Sequence, residues 1–256
     1  MILRTLPLGL LAAITLLFIA GDAFAQQSPM LPIPSVTFGV EAANTPQDVA
    51  ITLQIIALFT VLTLAPSILM VITSFTRIII VFHFLRTAMG TAQMPPNQIL
   101  VGIALLLTFF IMTPVVNQVN QQALAPYFNN EMSFTDMVAN AKKPVRTFLL
   151  ANTQKKDLML FLGLSRTERP RTVDDIPDHV LAASFVLSEI QLGFQIGFLL
   201  FLPFLIIDFV VASVLLAMGM MMLPPVMISV PFKILLFIMV DGWGLLITSL
   251  VKSYYV

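Results

Sequence analysis

Residues 217–225 read AMGMMMLPP, in which four methionines fall within five positions and two prolines follow. The prolines end a helix that enters from the N-terminal side, because proline lacks an amide hydrogen and disfavours helical geometry in the residue before it. Long apolar runs lie on both sides, at residues 180–222 and 226–251. The pattern therefore predicts two helical segments of membrane length that are joined by an exposed, methionine-rich loop.

The methionine cluster has three interpretations. Methionine is unbranched and polarizable, so a cluster of it forms a deformable apolar surface that adapts to many partners. Methionines at helix ends also fill cores, and clustered thioethers bind Cu(I). Copper is the least favoured, because the sequence has no cysteine and no His- or Met-rich external segment to deliver the ion. We expect an adaptable seal built from Met218, Met220, Met221 and Met222.

The composition is that of an integral membrane protein. Of 256 residues 58% are apolar and 10% are charged, with a mean hydropathy of +0.97, whereas soluble domains carry about 25% charged residues. The apolar runs and proline-marked tips predict an all-α fold of broken helical hairpins. The zero net charge gives no indication of nucleic-acid binding.

The sequence carries no motif of a familiar enzyme. The nucleophile elbow, the zinc-binding His-Glu-x-x-His helix and the phosphate-binding loop are all missing. His83 and His179 stand 96 residues apart and without neighbours at ligand spacing. We therefore predict a non-enzymatic protein with no cofactor and no metal site.

The chain divides into five segments. The first resembles a secretory signal peptide, with Arg4 before an apolar core and Ala23-Phe24-Ala25 as the cleavage site; the alternative is a retained first membrane helix. The predicted segments are a cleaved signal peptide (1–25), an extended lead-in (26–48), a first helical hairpin region (49–119), a polar helical insert (120–180) and a second hairpin region with the methionine loop (181–256).

The polar insert holds eight of the thirteen basic residues and seven of the thirteen acidic ones. Ser133 and Asp136 resemble a helix N-terminal cap, and Pro144 predicts the start of a second helix. Counting crossings from a cleaved signal peptide places the insert outside the cytoplasm, against the positive-inside tendency. The alternative is that the hairpins do not cross a bilayer in the ordinary way.

Several breaks are expected within the apolar runs. Pro66 interrupts the first run and Pro114 the second, because proline removes a helical hydrogen bond. The run at 180–222 has 43 residues, more than the ~20 of one crossing. We therefore predict bends at Gly193, Gly197 and Pro203.

Five ionisable residues lie within apolar runs, where charge is costly and usually faces protein or water. Asp208 and Asp241 stand sixteen residues to either side of Pro224-Pro225, so a simple antiparallel hairpin would place them at similar depth. Lys233 could reach an acid of its own or a neighbouring subunit. These residues indicate either ion pairs between helices or subunits, which we favour, or a path for coupled ions. The five are Arg77, Glu189, Asp208, Lys233 and Asp241.

Eight strings together resemble the FliP family of flagellar type III export-gate proteins, called SctR in injectisomes. The similarity runs from about residue 48 to the C-terminus, and the polar insert matches in position and size more than in letters. The strings are TSFTRIIIVF (73–82), PPNQ (95–98), LTFFIM (107–112), FQIGF (194–198), PFLIID (203–208), MGMMMLPP (218–225), PFK (231–233) and VDGW (240–243).

The resemblance implies a subunit of the export gate in the bacterial inner membrane, at the flagellar basal body. Family members form a pentamer with FliQ and FliR, beside other membrane proteins of the export apparatus, and their hairpins wind into a cone-shaped core. The methionine loop, shaped by Gly219, Pro224 and Pro225, would line a constriction through which unfolded flagellar proteins pass. The intramembrane charges would serve assembly. The alternative is an ion-coupled transporter or channel that uses Glu189, Asp208 and Asp241.

Overall fold

The computed structural model describes residues 46–91, 94–165, 170, 172–220 and 222–255. Two compact units are distinguished, Met1–Ile55 and Ile56–Val256, and the described part of the first is one helical stretch. The predicted signal peptide and the lead-in up to residue 45 lie outside the described residues. A helix already begins at Pro46, slightly before the predicted end of the lead-in.

The described residues form α-helices, with one π-helical turn and no strand among them, which confirms the all-α class. The elements are α1 (Pro46–Val71), α2 (Phe75–Met89), α3 (Asn97–Val119), the π-helical turn (Asn120–Leu124), α4 (Ala125–Phe128), α5 (Phe134–Ala151), α6 (Lys155–Leu164), α7 (Asp178–Ala217), α8 (Pro225–Met239) and α9 (Gly242–Lys252).

Two helical stretches within the described residues are long and apolar enough to cross a membrane. One is the continuous stretch Asn97–Phe128 and the other is α7, which has 40 residues. A third crossing is obtained if α8 and α9 count as one span, although they are bent by 64° relative to each other. By length and composition the fold is that of a membrane protein.

Several predicted interruptions lie inside continuous helices. Pro66, Pro114 and Pro203 are interior residues of α1, α3 and α7. A proline in a helix removes one hydrogen bond, whereas ending the helix in apolar surroundings would expose several unpaired backbone groups. A helix that continues through the proline is therefore less costly than a helix that ends there, at all three positions.

Gly193 and Gly197 serve close packing rather than a break in α7. A Cβ atom on Gly193 would lie 3.1 Å from the Ile80 side chain, and one on Gly197 would lie 2.5 Å from the Phe84 ring. Both neighbours belong to α2, so the two glycines let α2 approach the backbone of α7. Small residues permit such close approach between membrane helices.

The insert differs from its prediction in one respect. The Ser133 cap is confirmed, since its hydroxyl accepts a hydrogen bond of 3.2 Å from the Asp136 amide. The second helix predicted to start at Pro144 is wrong, because α5 runs through Pro144 to Ala151 and the next helix begins at Lys155. The apolar stripe of α5 continues past the proline, and its burial keeps the helix whole.

The final apolar run is broken at Asp241, where one continuous run was predicted. Asp241 has a left-handed backbone with φ of 50°. It is the N-terminal cap of α9, because its carboxylate accepts a hydrogen bond of 3.4 Å from the Gly244 amide. Asp208 instead accepts a hydrogen bond from Ser229, which follows Pro225 by four residues and precedes Asp241 by twelve, about 18 Å of helix at 1.5 Å per residue. The expected match in depth of Asp208 and Asp241 therefore does not follow.

Helix α2 lies at the centre of the second unit and packs chiefly on α7 and α3. Its side chains Ile78, Val81, Phe82 and Leu85 are fully buried.

The insert is tied to α7 by Asp157, which is buried and accepts hydrogen bonds from Ser188 at 2.6 Å and Gln191 at 3.2 Å.

Candidate functional site

A buried ion pair joins the first turn of α2 to the N-terminal third of α7. The Arg77 guanidinium donates two hydrogen bonds to the Glu189 carboxylate, one from Nε at 3.1 Å and one from Nη2. Both side chains are almost wholly inaccessible to solvent. Paired, bidentate contacts of this kind are among the stronger hydrogen bonds in proteins, so the pair fixes the register of the two helices.

The segment after α9 completes this cluster. The Tyr254 hydroxyl donates to Glu189 and lies 3.2 Å from the carbonyl oxygen of Ser74. The Arg77 guanidinium stacks 3.8 Å from the centre of the Tyr254 ring and donates to Ser253 Oγ at 2.8 Å. Burial raises the pKa of the Tyr254 phenol well above its ordinary value, and the Glu189 charge adds to the rise, so the phenol keeps its proton and remains a donor.

A second ion pair, of which Lys233 is buried and Asp208 is partly exposed, joins α7, α8 and the end of α2. Lys233 Nζ donates to Asp208 Oδ2 at 2.6 Å and to the Ala88 carbonyl oxygen at 3.1 Å. The Ser229 hydroxyl donates to the other oxygen of the Asp208 carboxylate. The Ala88 carbonyl lies in the last turn of α2, where the helix dipole favours a cation. This cluster ties the two helices that flank the methionine loop to α2.

The methionine loop begins with a defined helix end. Gly219 has φ of +77°, its amide donates to the Leu216 carbonyl at 3.0 Å, and the Met220 amide donates to Leu215 at 2.9 Å. These two bonds and the left-handed glycine form a Schellman motif, which glycine satisfies without strain. Pro225 then begins α8. The backbone thus leaves the axis of α7 at Gly219.

The described methionines of this loop are open to solvent. Met222 is 97% exposed, and Met218 and Met220 are about half exposed, whereas Met221 lies outside the described residues. Asp208 precedes Met218 by ten residues of α7, which at 1.5 Å per residue is about 15 Å of helix. On the α7 side the Lys233 cluster therefore lies well before the loop, whereas on the α8 side its Ser229 follows Pro225 by only four residues.

The structure brings four of the predicted charged residues into two pairs within one chain and leaves the fifth apart. Asp241 caps α9 and belongs to neither pair. The partners that sequence reasoning missed are Tyr254, Ser253 and Ser229. Ser229 had a detectable signal, because it lies four residues before Lys233 and so on the same helix face. Nothing in the spacing indicated the other two.

No metal centre is formed by the described part of the chain, where no three His, Asp or Glu residues come close enough to hold an ion. The arrangement instead consists of long apolar helices, one buried and one partly buried ion pair, and a loop whose described methionines are exposed. These features define a multi-helix membrane protein in which ion pairs fix the register of α2 relative to α7 and α8.

The sequence of the chain is similar to the sequences of known proteins of one family. The FliP family model matches residues 58–250, a range that contains all eight sequence strings. The flagellar biosynthetic protein FliP of Bacillus subtilis is 49% identical over 213 residues, which are 83% of this chain and 96% of the relative. Those of Pectobacterium carotovorum and Caulobacter vibrioides are 46% and 42% identical, over 99% and 98% of this chain and 95% and 91% of the relatives.

The chain belongs to the FliP family, as the sequence strings indicated. It is thus a component of the flagellar export apparatus, and its apolar helices accord with a place in the membrane.

Proposed function

We propose that this chain is a pore-forming subunit of the flagellar type III export gate and passes unfolded flagellar proteins through a constriction lined by methionine. The supporting observation is that Met218, Met220 and Met222 are exposed in the loop that follows α7, in a chain of the FliP family. Thioethers present no directional hydrogen bonds and adapt in shape, so they close around chains of differing sequence. The lining residues are Met218, Met220, Met221 and Met222.

The constriction requires several copies of the loop around one opening, so we propose a homopentamer that assembles with FliQ and FliR in the bacterial inner membrane, at the flagellar basal body. Exposed apolar side chains on α7, among them Phe198, Ile206 and Phe209, support an assembled or lipid-covered state. The ion pairs keep the helices in register for assembly. The predicted signal peptide and a polar insert outside the cytoplasm complete the proposal.

The ion-coupled alternative is less well supported by the geometry. A coupling carboxylate must exchange protons with water, but Glu189 is inaccessible and engaged by Arg77 and Tyr254. Asp208 keeps 26% of its side chain exposed, but both of its carboxylate oxygens are engaged, one by Lys233 and one by Ser229. These contacts favour a structural role for both acids.

The mass and symmetry of the complex extracted in detergent test the proposed assembly. We expect five copies of this chain with two kinds of small membrane partner, and a closed ring in projection. A protein that is extracted as a monomer or dimer under conditions that preserve other export components contradicts the proposal and supports the transporter class.

A further inference from the structure

Helix α8 buries a single stripe of side chains. All of its residues are described, and only Ser229, Lys233 and Phe237 among them are buried. The three are spaced by four residues and so share one face of the helix. The two nearer the methionine loop are polar and are engaged by hydrogen bonds with Asp208 and the Ala88 carbonyl. The loop end of α8 is therefore held to its neighbours largely through polar contacts.

The backbone is broken beyond both ends of α8. Gly219, in the loop before it, has φ of +77°, and Asp241, just after it, has φ of 50°. A left-handed backbone is uncommon for a residue other than glycine and is found often in switch regions. Hinges are commonly a few such positions at the ends of helices. A change of backbone angle at these two positions moves α8 as one rigid helix.

The elements on either side of α8 are fixed to α2 without its help. Glu189 of α7 is paired with Arg77, and Tyr254, which follows α9, bonds to the same carboxylate. The buried Phe237 ring, near the end of α8, packs edge-on against Trp243 of α9 at 5.5 Å between ring centres. Helix α8 thus has a fixed frame around it and a packed pivot at the end that lies away from the loop.

The contact that holds α8 against this frame lies between the pivot and the loop. Ser229 and Lys233 follow Pro225 by four and eight residues and engage the two oxygens of the Asp208 carboxylate. The Asp208 side chain is 26% exposed, so water reaches this contact. Because a hydrogen bond to water replaces each bond that is lost, such a contact opens at a small net cost.

We propose that α8 is the moving arm of the constriction, pivoting at Asp241 and held closed by the Lys233–Asp208 pair. The inference rests on the proposed role of the methionine loop as the seal. Motion of α8 away from α2 carries Pro224-Pro225, and with them one end of the loop, away from the end at Gly219. The opening widens while α2, α7 and α9 stay in place.

A reversible disulfide between α2 and α8 tests the arm in the assembled complex. The chain has no cysteine of its own, and a Cβ atom on Gly90 would lie 3.3 Å from Val230 Cγ2. That separation suits a disulfide, whose Cβ atoms are about 3.5–4.5 Å apart. We expect the oxidised variant Gly90→Cys with Val230→Cys to stop the passage of an unfolded export substrate, and reductant to restore it.

Ile80→Cys with Gly193→Cys is the matched control, because a Cβ atom on Gly193 would lie 3.1 Å from Ile80 Cβ. This disulfide joins α2 to α7, two parts of the fixed frame, so passage should continue in the oxidised complex. Passage through the oxidised Gly90–Val230 variant, or an equal block by both disulfides, overturns the inference.

A second measurement does not depend on a substitution at Gly90. Ser229→Ala removes one donor to Asp208 and should raise the ion flux through the resting complex in liposomes, because losing one hydrogen bond to a charged group shifts the ratio of closed to open by about tenfold. Ser213→Ala, which removes an exposed hydroxyl bonded to the Phe209 carbonyl, is its control. Equal flux in the two variants counts against the arm.

Failure of the arm is distinguishable from failure of the seal. If the oxidised Gly90–Val230 variant passes substrate while Met222→Cys, in an otherwise unchanged chain, cross-links to a stalled substrate, then α8 does not move and the methionine loop still lines the passage. If Met222→Cys forms no such cross-link, the proposed function is itself contradicted, and the arm with it.

Discussion

Replacement of Glu189 by leucine is expected to eliminate nearly all recovery of the intact complex. The substitution leaves the Arg77 guanidinium buried without its carboxylate and removes the acceptor of the Tyr254 hydroxyl. Breaking a buried pair from one side costs about 3–5 kcal/mol, a large part of the roughly 5–15 kcal/mol that stabilises a typical fold. The measurement is the amount of assembled complex in membrane extracts, with the melting temperature of any protein recovered.

Two further variants separate the ion pair from a general effect of mutation. The double variant Arg77→Met with Glu189→Leu removes both charges and should recover part of the assembly, because an apolar pair of similar volume is tolerated where a lone charge is not. Lys155→Gln alters an exposed charge and should change nothing. Normal assembly of Glu189→Leu with failure of proton-dependent transport alone would contradict the structural role and favour ion coupling.

Replacement of Met220, Met221 and Met222 by alanine is expected to make the membrane leak while the complex still assembles. Alanine removes the adaptable side chains and leaves the backbone of the loop, whose helix end depends on Gly219 and not on the methionine side chains. A ring that has lost these side chains no longer closes. The leak is measured as ion flux through liposomes that contain the purified complex, and we expect an increase of several-fold.

The leucine variants of the same positions are the matched comparison. Leucine keeps apolar volume but lacks the flexibility of the thioether, so the flux should lie between those of the wild type and the alanine variant. Met159→Ala removes an exposed methionine on α6, far along the chain from the loop, and should leave the flux unchanged. A tight membrane in the triple alanine variant contradicts the seal.

The all-α class and the loop could be predicted from the sequence because their signals are local. The long apolar runs specify helices of membrane length, and Gly219 with Pro224-Pro225 specifies where the chain turns. The interior prolines misled the prediction. A missing amide hydrogen is a local signal, but continuity of a helix is decided by the cost of unpaired backbone groups in its surroundings.

The charged residues of the site could be named from sequence, because a charge in an apolar run is energetically costly and is usually stabilised by a polar partner. Their partners could not be assigned in the same way. Arg77 and Glu189 are 112 residues apart, and Lys233 bonds to a backbone carbonyl that carries no sequence signal. Tyr254 enters the site only because α9 returns the chain to α2. The break at Asp241 that permits this return was hidden within a continuous apolar run.

A disulfide between the loop and a passing substrate tests the central claim most directly. The chain has no cysteine, so Met222→Cys introduces a single thiol on the most exposed of the described loop methionines. The partner is an export substrate with one cysteine in its unfolded segment and a folded domain that stalls its passage. The account predicts a covalent adduct with Met222→Cys and none with Met159→Cys. Failure to form the adduct while the substrate is stalled, or equal adduct formation at both positions, contradicts the account.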